Sequence, residues 1–206
     1  MPFPTCENGY NRRKLTDFAK GVVDDLKGIG KYFTPHNLYG YYVPPIIFDC
    51  AGSRAIFKNC LLVFPYPITI PINCIGAGFN VITPGGIDVE VGLYDSTDDD
   101  YPRNLLRNTL VSLSAGGVIN VDWDPITLEP GLYWVGLVQY TEEVSPPSVE
   151  AFNRLWFLRE FQIKEEVPAQ GYSILLSSPG LPNPFPSQSD KDPEPSLPVF
   201  LRISQG

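Results

Sequence analysis

The chain is almost without histidine and methionine: of its 206 residues, His36 is the single histidine and Met1 the single methionine. Any Ser-His or Cys-His nucleophilic machinery would have to run through that one imidazole. It follows Pro35 in "YFTPHNLYG", where a leading arm gives way to the main body, and reads as a loop residue rather than a catalytic base. The four cysteines (Cys6, Cys50, Cys60, Cys74) form no CxxC pair, so with one histidine no zinc site is expected. Only 18% of residues are charged and the net charge is −8, which excludes the basic face of a general nucleic-acid binder. The greasiest run, "CLLVFPYPITIPI", holds three prolines and is too short to span a bilayer, so no membrane insertion is expected. The start, "MPFPTCENGYNRRKL", lacks the basic flank and apolar core of a secretory leader, and a soluble protein made in the cytosol is expected.

What the chain has in excess is punctuation. Proline and glycine number 22 and 18, beside a hydrophobic share of 43%, which describes a folded, turn-rich chain rather than a disordered one. Its length suits one sizeable core.

Residues 1–38 differ from the rest. Arg12, Arg13, Lys14, Lys20, Lys27 and Lys31 face four acids, a surplus of two positive charges, so residues 39–206 carry ten more acids than bases. Within this arm Leu15, Phe18, Val22, Leu26, Ile29 and Phe33 recur at helical spacing and fall on one stripe. As an isolated helix the arm is poor, because Gly21, Gly28 and Gly30 each cost about 1 kcal/mol relative to alanine. A poor helix with a clean stripe needs a surface to lean on, either its own domain or a neighbouring subunit. The stripe is therefore the candidate partner-binding surface, and its opposite charge balance suits an attachment segment.

From residue 39 onward the pattern is β. Candidate strands are 41–48, 55–63, 68–81, 87–94, 109–113, 118–123, 131–140, 172–176 and 199–203. In "IDVEVGLY", Ile87, Val89, Val91 and Leu93 share one face. "PGG" at 84–86, "AGG" at 115–117 and "EPG" at 129–131 mark turns. Short strands at this spacing predict an all-β, antiparallel β-sandwich or jelly roll, preceded by the amphipathic helical arm. "GLYWVGLVQY" is apolar on both faces, so it predicts a central strand with the core on one side and a helix, loop or partner on the other. Residues 148–162 read as a short helix or long apolar loop. Residues 178–198 hold seven prolines and read as an extended connection.

Candidate chemistry is thin. In "DSTDDDYP", Asp95, Asp98, Asp99 and Asp100 offer an irregular Ca²⁺ site, but no glycine stands at the sixth position and Leu106 stands where a distal bidentate acid would. A solvated hairpin tip, where aspartate favours turns, is the favoured reading. Cys50 and Cys60 flank "AGSRAIFKN" and could meet across a hairpin; buried reduced thiols in strands are the other reading. Trp134 is expected in the core, whereas Trp156 and Phe157 are candidates for a ligand or interface surface. No catalytic residue and no cofactor are expected.

Several stretches together resemble a β-sandwich domain found in bacteriophage virion proteins, mostly tail or structural proteins. They are "NCLLVFPYPITIPINCIGAGFNV" (59–81), "VEVGLYDSTDDDYPRNLL" (89–106), "LEPGLYWVGLV" (128–138) and the proline-rich loop running into "PVFLRIS". The resemblance covers about residues 40–206, in order, and leaves the arm and "AFNRLWFLREF" outside. It implies a non-enzymatic virion protein made in the host cytoplasm and bound to other virion proteins. A homo-oligomer is expected because the two-faced strand, the Trp156 segment and the arm's stripe offer more apolar surface than one sandwich hides. A tail or baseplate fibre or adaptor is favoured over capsid decoration. A carbohydrate-binding module that recognises a host surface glycan is the competing class, and a secreted adhesin a third.

Overall fold

The computed structural model describes residues 36–38, 40–43, 48–99, 101–140, 146–154, 171–187, 190–192 and 199–204. These contain thirteen strands and no helix. In chain order they are β1 (His36–Leu38), β2 (Tyr41–Val43), β3 (Phe48–Ala55), β4 (Cys60–Ile68), β5 (Ile72–Thr83), β6 (Asp88–Ser96), β7 (Pro102–Ser112), β8 (Gly117–Leu128), β9 (Gly131–Gln139), β10 (Ser148–Arg154), β11 (Gly171–Leu175), β12 (Asp190–Asp192) and β13 (Phe200–Ile203). The fold is all-β, in two antiparallel sheets that share one apolar core.

In the first sheet β5 is the central strand. β8 runs along one of its edges; β10 and β13 share the other, β10 opposite Val81 and Thr83 and β13 opposite residues 74–78. β3 flanks β10, and β2 then β1 flank β13. The second sheet runs β12-β11-β4-β9-β6-β7. From β3 to β10 the chain alternates between the sheets, except for the β6–β7 hairpin, which stays within the second.

Two-residue periodicity builds the core. Ile87, Val89, Val91 and Leu93 are fully buried, as their alternation predicts. Leu62, Phe64, Tyr66 and Ile68 of β4 meet Cys74, Ala77, Phe79 and Val81 of β5 between the sheets. β4 tolerates Pro65 and Pro67 because β11 pairs only with residues 60–63. Beyond that point no described strand pairs with this edge of β4, and there a residue lacking an N–H costs no ladder bond. The turns at 84–86, 115–117 and 129–131 all fall between strands.

Several sequence expectations need correction. The expected strand 41–48 covers two strands in different places of the first sheet: all of β2, beside β13, and the first residue of β3, beside β10. The expected strand 55–63 is broken at 56–59, where Asn59 adopts φ 58°, a conformation that ends a strand. That break sends β3 and β4 to different sheets, so Cys50 and Cys60 do not face each other across a hairpin. Cys60 and Cys74 are thiols, not disulfide partners.

Residues 148–154 are strand β10 rather than helix or loop, inserted between β3 and β5 with Val149 buried. Among the described residues of 178–198 there is one short strand, β12, against β11. His36–Leu38, expected within the arm, form β1. The remainder of the arm, with the stripe from Leu15 to Phe33, lies outside the described residues, and so do Trp156 and Phe157.

Candidate functional site

Each sheet has an outer face turned away from the shared core, and the two faces differ. On the second sheet, outward side chains of β4, β6 and β9 form a second apolar cluster: Leu61, Val63, Tyr94, Leu132, Trp134 and Val138. β9 is therefore apolar on both faces, as its sequence predicts. Its second cover is the chain's own proline-rich segment, residues 176–187, laid across the sheet as a strap.

The strap seats at a hole in the sheet. Gly92 of β6 and Gly136 of β9 are directly opposed. A Cβ on Gly92 would stand 2.3 Å from Leu181 Cδ1 and 2.9 Å from Leu105 Cδ1; one on Gly136 would stand 3.0 Å from Tyr94 Cε2. Two adjacent missing side chains thus make the pocket that Leu181 fills, leaving it 8% exposed. Phe185 then packs edge-on against Tyr94 and Tyr101, both at 5.5 Å, and Tyr172 bridges Tyr101 to Trp134.

Polar bonds fix the strap's course. The Leu181 N–H donates to Glu90 Oε2 at 3.0 Å, and the Tyr140 hydroxyl donates to the same oxygen. Asn108 Nδ2 donates to the other oxygen, so one carboxylate ties β6, β7, β9 and the strap together. Further along, Leu105 N donates to Asn183 Oδ1 (3.2 Å), Phe185 N to the Arg103 carbonyl (2.7 Å) and the Tyr101 hydroxyl to the Pro186 carbonyl (2.8 Å). The phenols beneath resist ionisation. Burial raises the Tyr94 pKa, with the Glu90 charge adding to it; Tyr140 is raised by burial and by its bond to Glu90.

The acidic stretch is the tip of the β6–β7 hairpin. Asp95 takes both Arg103 Nη2 (2.6 Å) and Asn104 N (2.7 Å), a charge-assisted clamp at the neck of the tip. Burial pushes its carboxyl up, but hydrogen bonds from Arg103 and Asn104 outweigh that and hold its pKa below the usual carboxylate range. Thr97 closes the turn: its N–H donates to the Tyr101 carbonyl at 2.7 Å, and its Oγ1 accepts from Tyr101 N at 3.1 Å. Asp98 and Asp99 are exposed, and Asp100 lies outside the described residues. Asp95 is thus engaged within the hairpin, and among the described residues no three His, Cys, Asp or Glu side chains converge on a metal position.

The outer face of the β5 sheet carries no such strap among the described residues. Gly78 leaves room there for Tyr41, whose ring would lie 2.6 Å from a Cβ at that position and whose hydroxyl donates to Asn120. Arg202 pairs with Asp122 across β5. Toward the other end Val118 stands opposite Asn80 with Ile82 diagonal to it, and these two are 67% and 50% exposed. The edge strands are protected separately. Arg107 Nε donates to the Asp124 carbonyl and Thr109 Oγ1 to the Asp122 carbonyl, so side chains of β7 occupy backbone acceptors of β8 where the two sheets meet.

Of the tryptophans in the described residues, Trp134 is 2% exposed, its indole donating to Ser96 Oγ at 2.7 Å, and Trp123 lies in the shared core. Cys74 is buried, its thiol donating to the Gly76 carbonyl, and burial raises its pKa. Glu90, Gly92 and Gly136 lie inside stretches that the sequence singles out, and Leu181 inside the proline-rich segment, but no role for any of the four is read there. The one signal for the socket is the two-faced apolar strand β9 followed later by apolar residues set among prolines. Among the described residues no helix is long and apolar enough to cross a membrane. No protein-family model matches the chain, and no curated protein matches it.

Proposed function

We propose that this chain is a non-enzymatic structural protein of a bacteriophage virion, a tail- or baseplate-associated fibre or adaptor that displays a jelly-roll domain and attaches through its N-terminal arm. One observation carries this: the strand order. Leaving aside the peripheral strands β1, β2 and β11 to β13, the sheets read β3-β10-β5-β8 and β4-β9-β6-β7, and the chain passes between them in the sequence that two interlocked Greek keys produce. That is jelly-roll connectivity, an architecture used in viral capsid proteins and in lectins. The step from fold to role is one of analogy.

Two further features support an architectural role. The stretches that resemble virion sandwiches fall on fold-determining positions: the β4–β5 corner, the β6–β7 hairpin, and the turn into β9. Among the described residues, Tyr94, Tyr101, Trp134 and Tyr172 line or hold the strap, and Trp123 and Trp134 are buried, so none of these forms a sugar platform; Trp156 and Phe157 lie outside them. Capsid decoration shares the same supports; the arm is the reason to favour an attached tail component.

Immunogold electron microscopy with antibody to the whole protein, on particles made by the genome that encodes it, tests this. Gold at the tail or baseplate is the expected result. Label around the head would move the protein to capsid decoration, and unlabelled particles would overturn the virion role. In that last case a glycan array with the full chain decides whether the lectin-like alternative takes its place.

A further inference from the structure

Resting on the attachment role of the arm proposed above, we infer that the outer face of the β5 sheet is where the arm of a second copy docks, residues 15–33 of each chain lying on the sheet of the other. The two outer faces of the molecule start from a similar problem. Each presents apolar side chains away from the shared core, and on the second sheet the strap solves it within the chain. On the β5 sheet Val118 and Ile82 stand open at one end, while at the other Tyr41 fills the space over Gly78 and Arg202 pairs with Asp122 across Gly76. The open end, apolar at Val118 and Ile82 and polar around them, is the part of this face that a helix can cover.

Position and charge point to the arm as occupant. β1, directly after it, is the outermost strand of this same sheet, next to β2 and β13. The chain outside the structure therefore begins at the edge of the open face. A helix over 15–33 would be roughly 28 Å long, and β5, at 12 residues, roughly 40 Å, so the sheet is long enough to seat it. Residues 15–33 are themselves neutral, with three lysines and three aspartates; the arm's two surplus positive charges come from Arg12, Arg13 and Lys14 just ahead of them, and the remainder of the chain carries ten surplus negative ones. The stripe of Leu15, Phe18, Val22, Leu26, Ile29 and Phe33 supplies the apolar counterpart to Val118 and Ile82.

The connection favours exchange over self-docking. Only Thr34 and Pro35 separate Phe33 from β1. A residue before proline favours extended backbone, and proline fixes its own φ, so the residue types at 34 and 35 favour an extended joint over a reversal. Neither residue brings the left-handed conformation that a tight return over the same sheet would use. An arm that continues past the edge of its own sheet meets a neighbour's, and the reciprocal exchange closes as a two-fold dimer.

The test uses three full-length chains in light scattering after size exclusion: the wild type, an arm variant (Phe18→Asp with Leu26→Asp) and a face variant (Ile82→Asp with Val118→Asp). The wild type is expected at twice the monomer mass of 22.9 kDa, and each variant alone at the monomer mass. Mixed one to one, the variants should recover the dimer, because one intact arm and one intact face remain. Ile82→Lys with Val118→Lys repeats the face test with the opposite charge, and a far-ultraviolet spectrum shows that each variant is folded. A dimer that survives both face variants but not the arm variant overturns the inference while leaving the arm as an attachment device. A dimer indifferent to the arm variant overturns both. A wild-type monomer, or variants that fail to complement, overturns the exchange.

Discussion

The two outer faces of this molecule show two treatments of the same kind of surface. Over the second sheet Leu181 fills the gap above Gly92 and Gly136, and Phe185 closes the aromatic row. Over the β5 sheet, glycine is used differently: Gly78 makes room for the ring of Tyr41, and Val118 and Ile82 stay 67% and 50% exposed. Paired glycines in a sheet can therefore create a socket or a floor. Which one results depends on whether another segment of the chain brings an apolar side chain to it. The strapped face is covered by the chain itself; the open face is not, among the described residues.

If that contrast is right, truncations on the strapped face should cost far more than truncations on the open one. The largest effect is expected from Trp134→Ala, which empties the middle of the second cluster: a loss of about 3–5 kcal/mol in denaturant unfolding. A loss below about 1 kcal/mol would mean that the cluster is not structural. Leu181→Ala should follow at about 2–4 kcal/mol, because the socket cannot collapse onto two glycines. Dye binding by the newly exposed aromatic row should rise with it.

The strap should also fail at high pH. Tyr94 and Tyr140 have pKa values raised above the ordinary 10.0, so their neutral forms are favoured by folding. Their contribution is fully present below pH 10 and is lost as pH climbs above it. Tyrosinate absorbance should accordingly show some phenols ionising only together with unfolding, and a single smooth titration near pH 10 with the fold intact would contradict this.

Asp95 works in the opposite sense. Its pKa is held below the ordinary 3.8, so its contribution is present above pH 4 and lost as pH falls below that. Asp95→Asn should lower the thermal midpoint slightly at pH 7 and leave it unchanged near pH 2. Because the carboxyl is partly solvated, the effect should be smaller than either truncation. Smallest of all, Ile82→Ala and Val118→Ala should each change the stability of the isolated chain by no more than about 0.5 kcal/mol.

Much of the strand inventory is legible in the sequence because period two leaves a mark wherever one face is buried: Val89, Val91 and Leu93 declare their common face by alternation alone. Turn chemistry locates the "PGG", "AGG" and "EPG" connections and accounts for "DSTDDDYP" as a hairpin tip, since the same local forces act in any fold. Strand β10 escapes such a reading because "SVEAFNR" mixes charges with apolar residues at no clean period. Its pairing is decided by the gap between β3 and β5, strands that lie far away in sequence. The strap reads as an extended connection, but nothing local says that Leu181 will find Gly92 and Gly136, each an ordinary residue of its own strand. That socket exists only once β6 and β9 are in register. The arm's stripe is visible from spacing alone, yet its counterpart on Val118 and Ile82 depends on which sheet faces remain uncovered.

The most direct measurement is hydroxyl-radical footprinting of the full chain across a hundredfold range of protein concentration, read at Leu181, Phe185, Ile82 and Val118. The strapped face should be protected equally at every concentration, because its cover belongs to the same chain. Ile82 and Val118 should react freely in dilute solution and become protected as the chains associate. Protection of Ile82 and Val118 that does not change with concentration would contradict the account, as would full reactivity at Leu181 and Phe185.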